Sequence, residues 1–168
     1  MDKPNRKYDA MGLALQAYMQ GQHQAEIIVH SNIAEEDVIP VQYLFRTEDE
    51  MPAIEKQALE MCYGKVLDVG AGAGSHALAL QNKSLQVTAL DISAGAVEVM
   101  KQRGVKKAIR KNVFKYSGQQ FDTILMLMNG IGVAGTLDGL DALLDHLKTL
   151  LRPGGQVLLD SSDILYMF

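Results

Sequence analysis

The sequence predicts an α/β domain built on a parallel sheet, and three observations carry that prediction. Beyond about residue 50, short apolar runs alternate with segments of helical period, the pattern of βαβ units. Runs such as TILMLM (123–128) barely alternate, as strands covered on both faces require. The first run, VLDV (66–69), passes straight into Gly70, Gly72 and Gly74, and glycines there permit a tight strand-to-helix turn.

The elements follow in order. Met11, Leu15, Tyr18 and Met19 recur at helical spacing, and Gly21 ends that helix. AEIIVHSNIAEEDVIPVQYLF (25–45) is apolar but broken by acids and Pro40, so it reads as short elements and loop. Pro52 suits the first position of a helix that carries Ile54, Ala58, Leu59 and Met61 and closes at Gly64. KVLDV is the first strand, GSHALALQ a helix and LQVTALDI the second strand. Ser93 caps a helix that ends at Gly104. KAIRKN is a short third strand and FDTILMLM the fourth. A helix over TLDGLDALLDHLKTLL then leads through Pro153 and a Gly-Gly turn to a fifth strand, QVLLDSS. Residues 1–50 read as an N-terminal helical extension or lid, and 51–168 as the core.

Composition narrows the function. The chain has 168 residues, 48% of them apolar, enough for one packed domain. Its formal charge of −4 gives no global attraction to nucleic acid or to anionic membranes. A single cysteine, Cys62, leaves no intrachain disulfide, which suits a reducing cytoplasm. The N-terminus lacks the basic-then-apolar layout of a signal peptide, and no apolar run approaches the roughly 20 residues of a membrane span. His23, His30 and His146 show no metal-ligand spacing, so no metal is expected.

The glycine loop is the chemical signal. Its spacing is G-x-G-x-G, with Ser75 where a third dinucleotide-type glycine would stand. Asp68 precedes it by two residues, and a carboxylate there repels a pyrophosphate but attracts a cation. Asp91 ends the second strand, where it can accept from both hydroxyls of a ribose. Together these residues point to a ribose-bearing ligand with a positive, phosphate-free head.

On these residues the chain resembles the class I S-adenosylmethionine-dependent methyltransferases. VLDVGAGAG resembles the first family motif and VTALDIS the acidic second-strand motif. FDTILMLMNGIG resembles the fourth strand and its loop, and LKTLLRPGGQVLLD the helix, turn and fifth strand after it. The resemblance spans roughly residues 52–163. It implies a Rossmann-like, doubly wound sheet of order 3-2-1-4-5, with S-adenosylmethionine as cofactor. It places Asp68 near the methionine amino group, the three glycines against the methionine portion, Asp91 on the ribose and Ile92 on the adenine face. The family commonly has an aspartate after the third strand. Asn112 matches it here and keeps an amide oxygen for the adenine amino group, while Val113 offers its backbone amide. Asn129, with Gly130 and Ile131, falls where the family touches the methionine portion and the reacting methyl.

Other residues have plainer readings. His76 is expected on a helix surface. Asp160 and Asp163 bracket the end of the fifth strand, as substrate-site acids or as a satisfied loop. Lys101, Arg103, Lys106, Lys107, Arg110, Lys111 and Lys115 are expected to guard a sheet edge. The methionines are expected to pack the core or the lid. Tyr18, Tyr43, Phe45 and Arg46 are candidates for an acceptor pocket.

The implied activity is direct displacement of the methyl group by a small-molecule acceptor, with no catalytic base named. Two rivals are a non-catalytic cofactor-binding module and an NAD-dependent oxidoreductase. The latter calls for G-x-G-x-x-G and no strand acid, and the sequence meets neither demand. Because the resembled fold usually has seven strands, the chain is expected to be a shortened version lacking the last two. Its fifth strand would then be an exposed edge prone to self-association.

Overall fold

The computed structural model describes residues 9–30 and 35–161. A helix α1 (Ala10–Met19) is followed by an antiparallel hairpin of β1 (Glu26–Val29) and β2 (Asp37–Pro40). Two 3-10 turns, Val41–Phe45 and Glu48–Glu50, lead to α2 (Ala53–Met61). The segment that the sequence reads as short elements and loop contains this hairpin and the first of the two turns.

The main sheet contains β3 (Lys65–Val69), β4 (Gln86–Asp91), β5 (Ala108–Arg110), β6 (Phe121–Met126) and β7 (Leu151–Leu159). All its neighbours pair in parallel, in the order β5-β4-β3-β6-β7, which is the 3-2-1-4-5 order expected. The crossover helices are α3 (Ser75–Asn82), α4 (Ala94–Gln102) and α5 (Leu137–Leu150).

Successive side chains of a strand point to opposite faces, so each strand feeds two cores. Val66 and Leu125 pack with Leu59, Leu80 and Met100 on the face covered by α2, α3 and α4. Leu67, Ile124 and Met126 pack with Leu143, Leu147 and Leu150 of α5 on the other. A third, smaller cluster joins Leu15 and Val41 of the N-terminal segment to Ala73, Ala96 and Val99. Its closest approach is at Gly12 of α1 and Gly95 of α4, where a Cβ on Gly95 would stand 2.6 Å from the Gly12 backbone. Asp9 fastens the joint. Its Oδ1 accepts from the Gly12 amide, and its Oδ2 accepts from Ser93 Oγ and the Gly95 amide, so one carboxylate caps two helices.

Two element readings need correction. β7 begins at Leu151, not after the Pro-Gly-Gly segment. Phe121 pairs with Leu151 and Thr123 with Gln156, so Pro153, Gly154 and Gly155 sit in a bulge within the strand. On α2, Ile54 is 63% exposed and Met61 faces solvent, while Glu55 is 4% exposed beside buried Leu59. The buried stripe of that helix carries an acid. The methionines also divide: Met51, Met100 and Met126 are core, whereas Met11, Met19, Met61 and Met128 are exposed. No described helix is long and apolar enough to cross a membrane.

Candidate functional site

The carboxyl ends of β3, β4 and β5 meet beside the glycine loop, and a pocket of about 320 Å³ opens there. Gly70, Asp91, Ile92, Asn112 and Val113 line it, with Lys111, Phe114 and Val133. Ile92 is 67% exposed, an apolar wall held open to a ligand.

The loop is built from left-handed glycines, with φ of +73° at Gly70, +53° at Gly72 and +83° at Gly74. Their missing side chains look in different directions. A Cβ on Gly70 meets nothing within 4 Å, and one on Gly72 meets only the Gly70 carbonyl at 4.0 Å. A Cβ on Gly74 would stand 2.8 Å from Val105 and 2.9 Å from Met100, so that glycine serves core packing. Four of the loop amides are already engaged. Those of Gly70 and Ala71 donate to the Leu90 carbonyl, that of Gly72 to Asp91 Oδ2, and that of Gly74 to the Ala71 carbonyl.

Asp91 accepts from Gly72 at 2.9 Å and from the Ser93 amide at 2.8 Å, one oxygen each. Burial pushes its carboxyl above the usual range, and those two amides pull the other way. Asp68 is 1% exposed, and its Oδ2 has no hydrogen-bond partner. Burial raises its carboxyl to about 6, the charge of His76 and the Ala77 amide lower it, and Asp91 adds to the rise. A buried carboxylate with a vacant acceptor site, next to a groove with room beside two glycines, suits a cationic group.

Asn112 lines the pocket as a cap as well. Its Oδ1 accepts from the Phe114 amide at 2.9 Å and caps the 3-10 turn Val113–Lys115. That bond takes one lone pair of the oxygen and orients the side chain at the pocket floor.

Asn129 follows β6 in the left-handed region, as does Met128, each with φ of +62°. Two consecutive non-glycine residues of this kind need support. Asp160 gives it: its Oδ2 accepts from the Met128 amide and its Oδ1 from the Gly130 amide, both at 2.9 Å. Asp160 is therefore a loop staple behind Asn129. Asp163 lies outside the described residues.

His76 is not on a surface. It is 8% exposed, and its Nε2 lies 2.7 Å from Glu55 Oε2. Both Glu55 oxygens also accept from Arg46 Nη2 at 2.5 Å. This buried Arg46–Glu55–His76 chain was hidden in the sequence, because its acid comes from a helix whose period was read from apolar residues. Arg103 likewise leaves the expected edge cluster. It donates to the Ala73, Ser75 and Phe45 oxygens and lies over the Phe45 ring, tying the glycine loop to the N-terminal segment. The neighbouring lysines 106, 107 and 111 do flank the short edge strand β5 and are exposed.

The four aromatic and basic candidates of the N-terminal segment come together. Tyr18, Tyr43, Phe45 and Arg46 line one open pocket with Gln42 and Glu50. Tyr18 stacks on Phe45 at 4.5 Å, and the Arg46 guanidinium lies 4.0 Å over the Tyr43 ring. Among the described residues no cluster of His, Cys, Asp and Glu could hold a metal.

The methyltransferase-domain family model matches residues 66–155. A solved structure of an S-adenosylmethionine-dependent methyltransferase from Bacteroides fragilis, in complex with S-adenosyl-L-homocysteine, is 48% identical with a TM-score of 0.89. The match covers 95% of this chain and 67% of that one. The chain belongs to the class I S-adenosylmethionine-dependent methyltransferases. More distant structures share the fold of this methyltransferase. A sugar N-methyltransferase from Streptoalloteichus is 18% identical, with a TM-score of 0.62, over 84% of this chain and 62% of its own. An amino pentose methyltransferase from Micromonospora echinaspora is 18% identical, with a TM-score of 0.61, over 83% and 62%. The present chain thus spans about two thirds, or somewhat less, of the solved structures it resembles. No curated protein sequence matches it.

Proposed function

We propose that this chain binds S-adenosylmethionine across the carboxyl ends of β3, β4 and β5 and transfers its methyl group to a small-molecule acceptor. The carrying observation is the glycine loop flanked by two acids. Four of its amides are already bonded, to Leu90, Asp91 and Ala71, and Asp68 and Asp91 would repel a pyrophosphate. The same acids suit a ribose and an ammonium group.

In this reading Asp91, fixed by Gly72 and Ser93, accepts from the ribose hydroxyls with its remaining lone pairs. Ile92 lies on one adenine face, and Val113 and Asn112 close the pocket end. Asp68 holds the ammonium through its free oxygen, and Gly70 and Gly72 let the methionine portion lie against the backbone. Asn129, held by the Asp160 staple, borders the reacting end. When bound, the cofactor supplies an electrophilic methyl group. The chain's own part is to hold acceptor and methyl in line and to exclude water. The acceptor lies against the N-terminal pocket of Tyr18, Gln42, Tyr43 and Arg46. The single buried cysteine fits a reducing cytoplasm.

Calorimetry with S-adenosylmethionine and with NADH tests the first half. Binding of the former alone is expected, and binding of NADH alone would overturn the reading. Labelled cofactor offered with pools of small amines, alcohols and sugars tests the second. Tight cofactor binding with no labelled product from any pool would favour a non-catalytic module.

A further inference from the structure

Asp9 makes more hydrogen bonds than the cap of one helix needs. Its Oδ1 accepts from the Gly12 amide at 2.9 Å, the bond of an ordinary N-cap for α1. Its Oδ2 crosses to the start of α4, 84 residues along the chain, and accepts from Ser93 Oγ at 2.9 Å. The same oxygen accepts from the Gly95 amide at 3.1 Å. Gly12 leaves room for this crossing, because a Cβ there would stand 2.5 Å from Ser93 Oγ. Ser93 is also the residue whose backbone amide donates to Asp91 Oδ1 at 2.8 Å, while its Oγ accepts from the Ala96 amide. An unbroken run of contacts thus leads from α1 through Ser93 to the carboxylate at the end of β4.

The consequence is one of direction. A ribose would bind Asp91 through the lone pairs that its bonds to Gly72 and Ser93 leave over, so those two amides set where the free lone pairs point. Gly72 is held by the glycine loop. Ser93 stands at the bend from β4 into α4, and its hydroxyl proton goes to Asp9. We propose that Asp9 is a positioning residue for the cofactor's ribose: through Ser93 it fixes the Asp91 carboxylate in the orientation that accepts the ribose hydroxyls, so that docking of α1 and binding of the ribose support each other. This rests on the cofactor reading given above.

Charge works against this effect and does not produce it. Burial raises the Asp91 carboxyl, and the negative charge of Asp9 adds to the rise. On charge alone, removing Asp9 would leave Asp91 a better acceptor. Weaker ribose binding without Asp9 therefore reports lost position.

The test measures, by calorimetry on the whole 168-residue chain, the affinities for S-adenosylhomocysteine and for its dideoxy analogue. The analogue keeps the adenine and the amino-acid portion and lacks both ribose hydroxyls. Wild type is expected to prefer the first probe by about ten- to a hundredfold. Asp9→Ser retains a good cap for α1 and removes the arm that reaches α4. It should bind S-adenosylhomocysteine roughly three- to tenfold more weakly than wild type, and the dideoxy analogue within about twofold of wild type. Equal weakening of both probes would mean that Asp9 only stabilises the fold, and would overturn the inference. So would wild-type affinity for both. Failure of wild type to bind either probe would overturn the cofactor reading and this inference together. Wild-type binding with no preference between the probes would take Asp91 off the ribose and end this inference, while the cofactor reading would stand. If Asp9→Ser does not fold, hydrogen exchange of wild type decides. Coupling between two sites is reciprocal. Saturation with S-adenosylhomocysteine should therefore slow exchange of the α1 and Gly95 amides roughly three- to tenfold more than saturation with the dideoxy analogue. Equal protection by the two probes would contradict the proposal.

Discussion

Asp91 has both carboxylate oxygens committed to backbone donors, and this decides which substitutions it tolerates. In Asp91→Asn the new amide nitrogen must face either the Gly72 or the Ser93 amide, donor against donor. The neutral isostere should therefore be no gentler than alanine. Charge-assisted hydrogen bonds contribute about 1.5–3 kcal/mol. Both Asp91→Asn and Asp91→Ala should then weaken S-adenosylmethionine binding by about one to two orders of magnitude, read by calorimetry. Asp68 behaves in the opposite sense for stability. Its carboxyl moves from an ordinary value of 3.8 to about 6 in the fold, so the charged form is disfavoured there. The penalty is full above pH 6, shrinks as pH falls and is gone below about pH 4. Asp68→Asn should stabilise the cofactor-free protein at pH 8 by roughly 1–3 kcal/mol, the scale of a two-unit shift, and should gain little at pH 4.5. The same variant should bind cofactor poorly. Thermal melts at the two pH values check the sign, and a lower melting temperature at pH 8 would contradict it.

At the level of elements, the glycine loop separates two jobs that one motif merges. Gly72→Ala places a methyl group in open space at a left-handed φ, so the backbone strain is about 1–2 kcal/mol, and under the proposed cofactor placement the methyl intrudes on the ligand. Gly74→Ala drives a methyl group into Val105 and Met100, which adds overpacking of about 1–3 kcal/mol to similar strain. Gly74→Ala should lower the melting temperature more, and Gly72→Ala should lower cofactor affinity more. Melts and calorimetry on the pair would show it, and the reverse ranking would undo the assignment. This contrast marks how far the sequence could be read. The βα order, the five strands and the loop were legible because strand and helix periods differ and because glycine announces positive φ. The side toward which each glycine faces depends on α4, a contact far along the chain, and no local pattern carries it. Glu55 was missed for a related reason. A buried acid reads as a solvent-facing position until its partners, Arg46 and His76, arrive from 9 and 21 residues away. Asp160 was legible as one of two acids ending β7, but its part in holding Met128 and Asn129 needs the β6–β7 pairing.

For the molecule as a whole, the two edges of the sheet are protected unequally. β5 is three residues long and flanked by exposed lysines, which resist pairing with another strand. β7 is nine residues long, pairs with β6 alone among the described residues, and has no fully buried position. Leu159 is exposed at its end, and the only interruption of its outer side is the Pro153–Gly155 bulge. From Gln156 to Leu159 the outer amides and carbonyls can accept a further strand, and the side chains there carry no charge. The 168-residue chain is therefore expected to self-associate along β7 in a concentration-dependent way, even though the net charge of −4 opposes close approach. Size-exclusion chromatography with light scattering measures it. Leu159→Lys adds an edge charge without entering either core and should shift the population toward monomer, with cofactor affinity unchanged because β7 contributes no residue to the pocket at the ends of β3, β4 and β5. A wild-type chain that stays monomeric into the range of hundreds of micromolar would show that β7 is covered in solution.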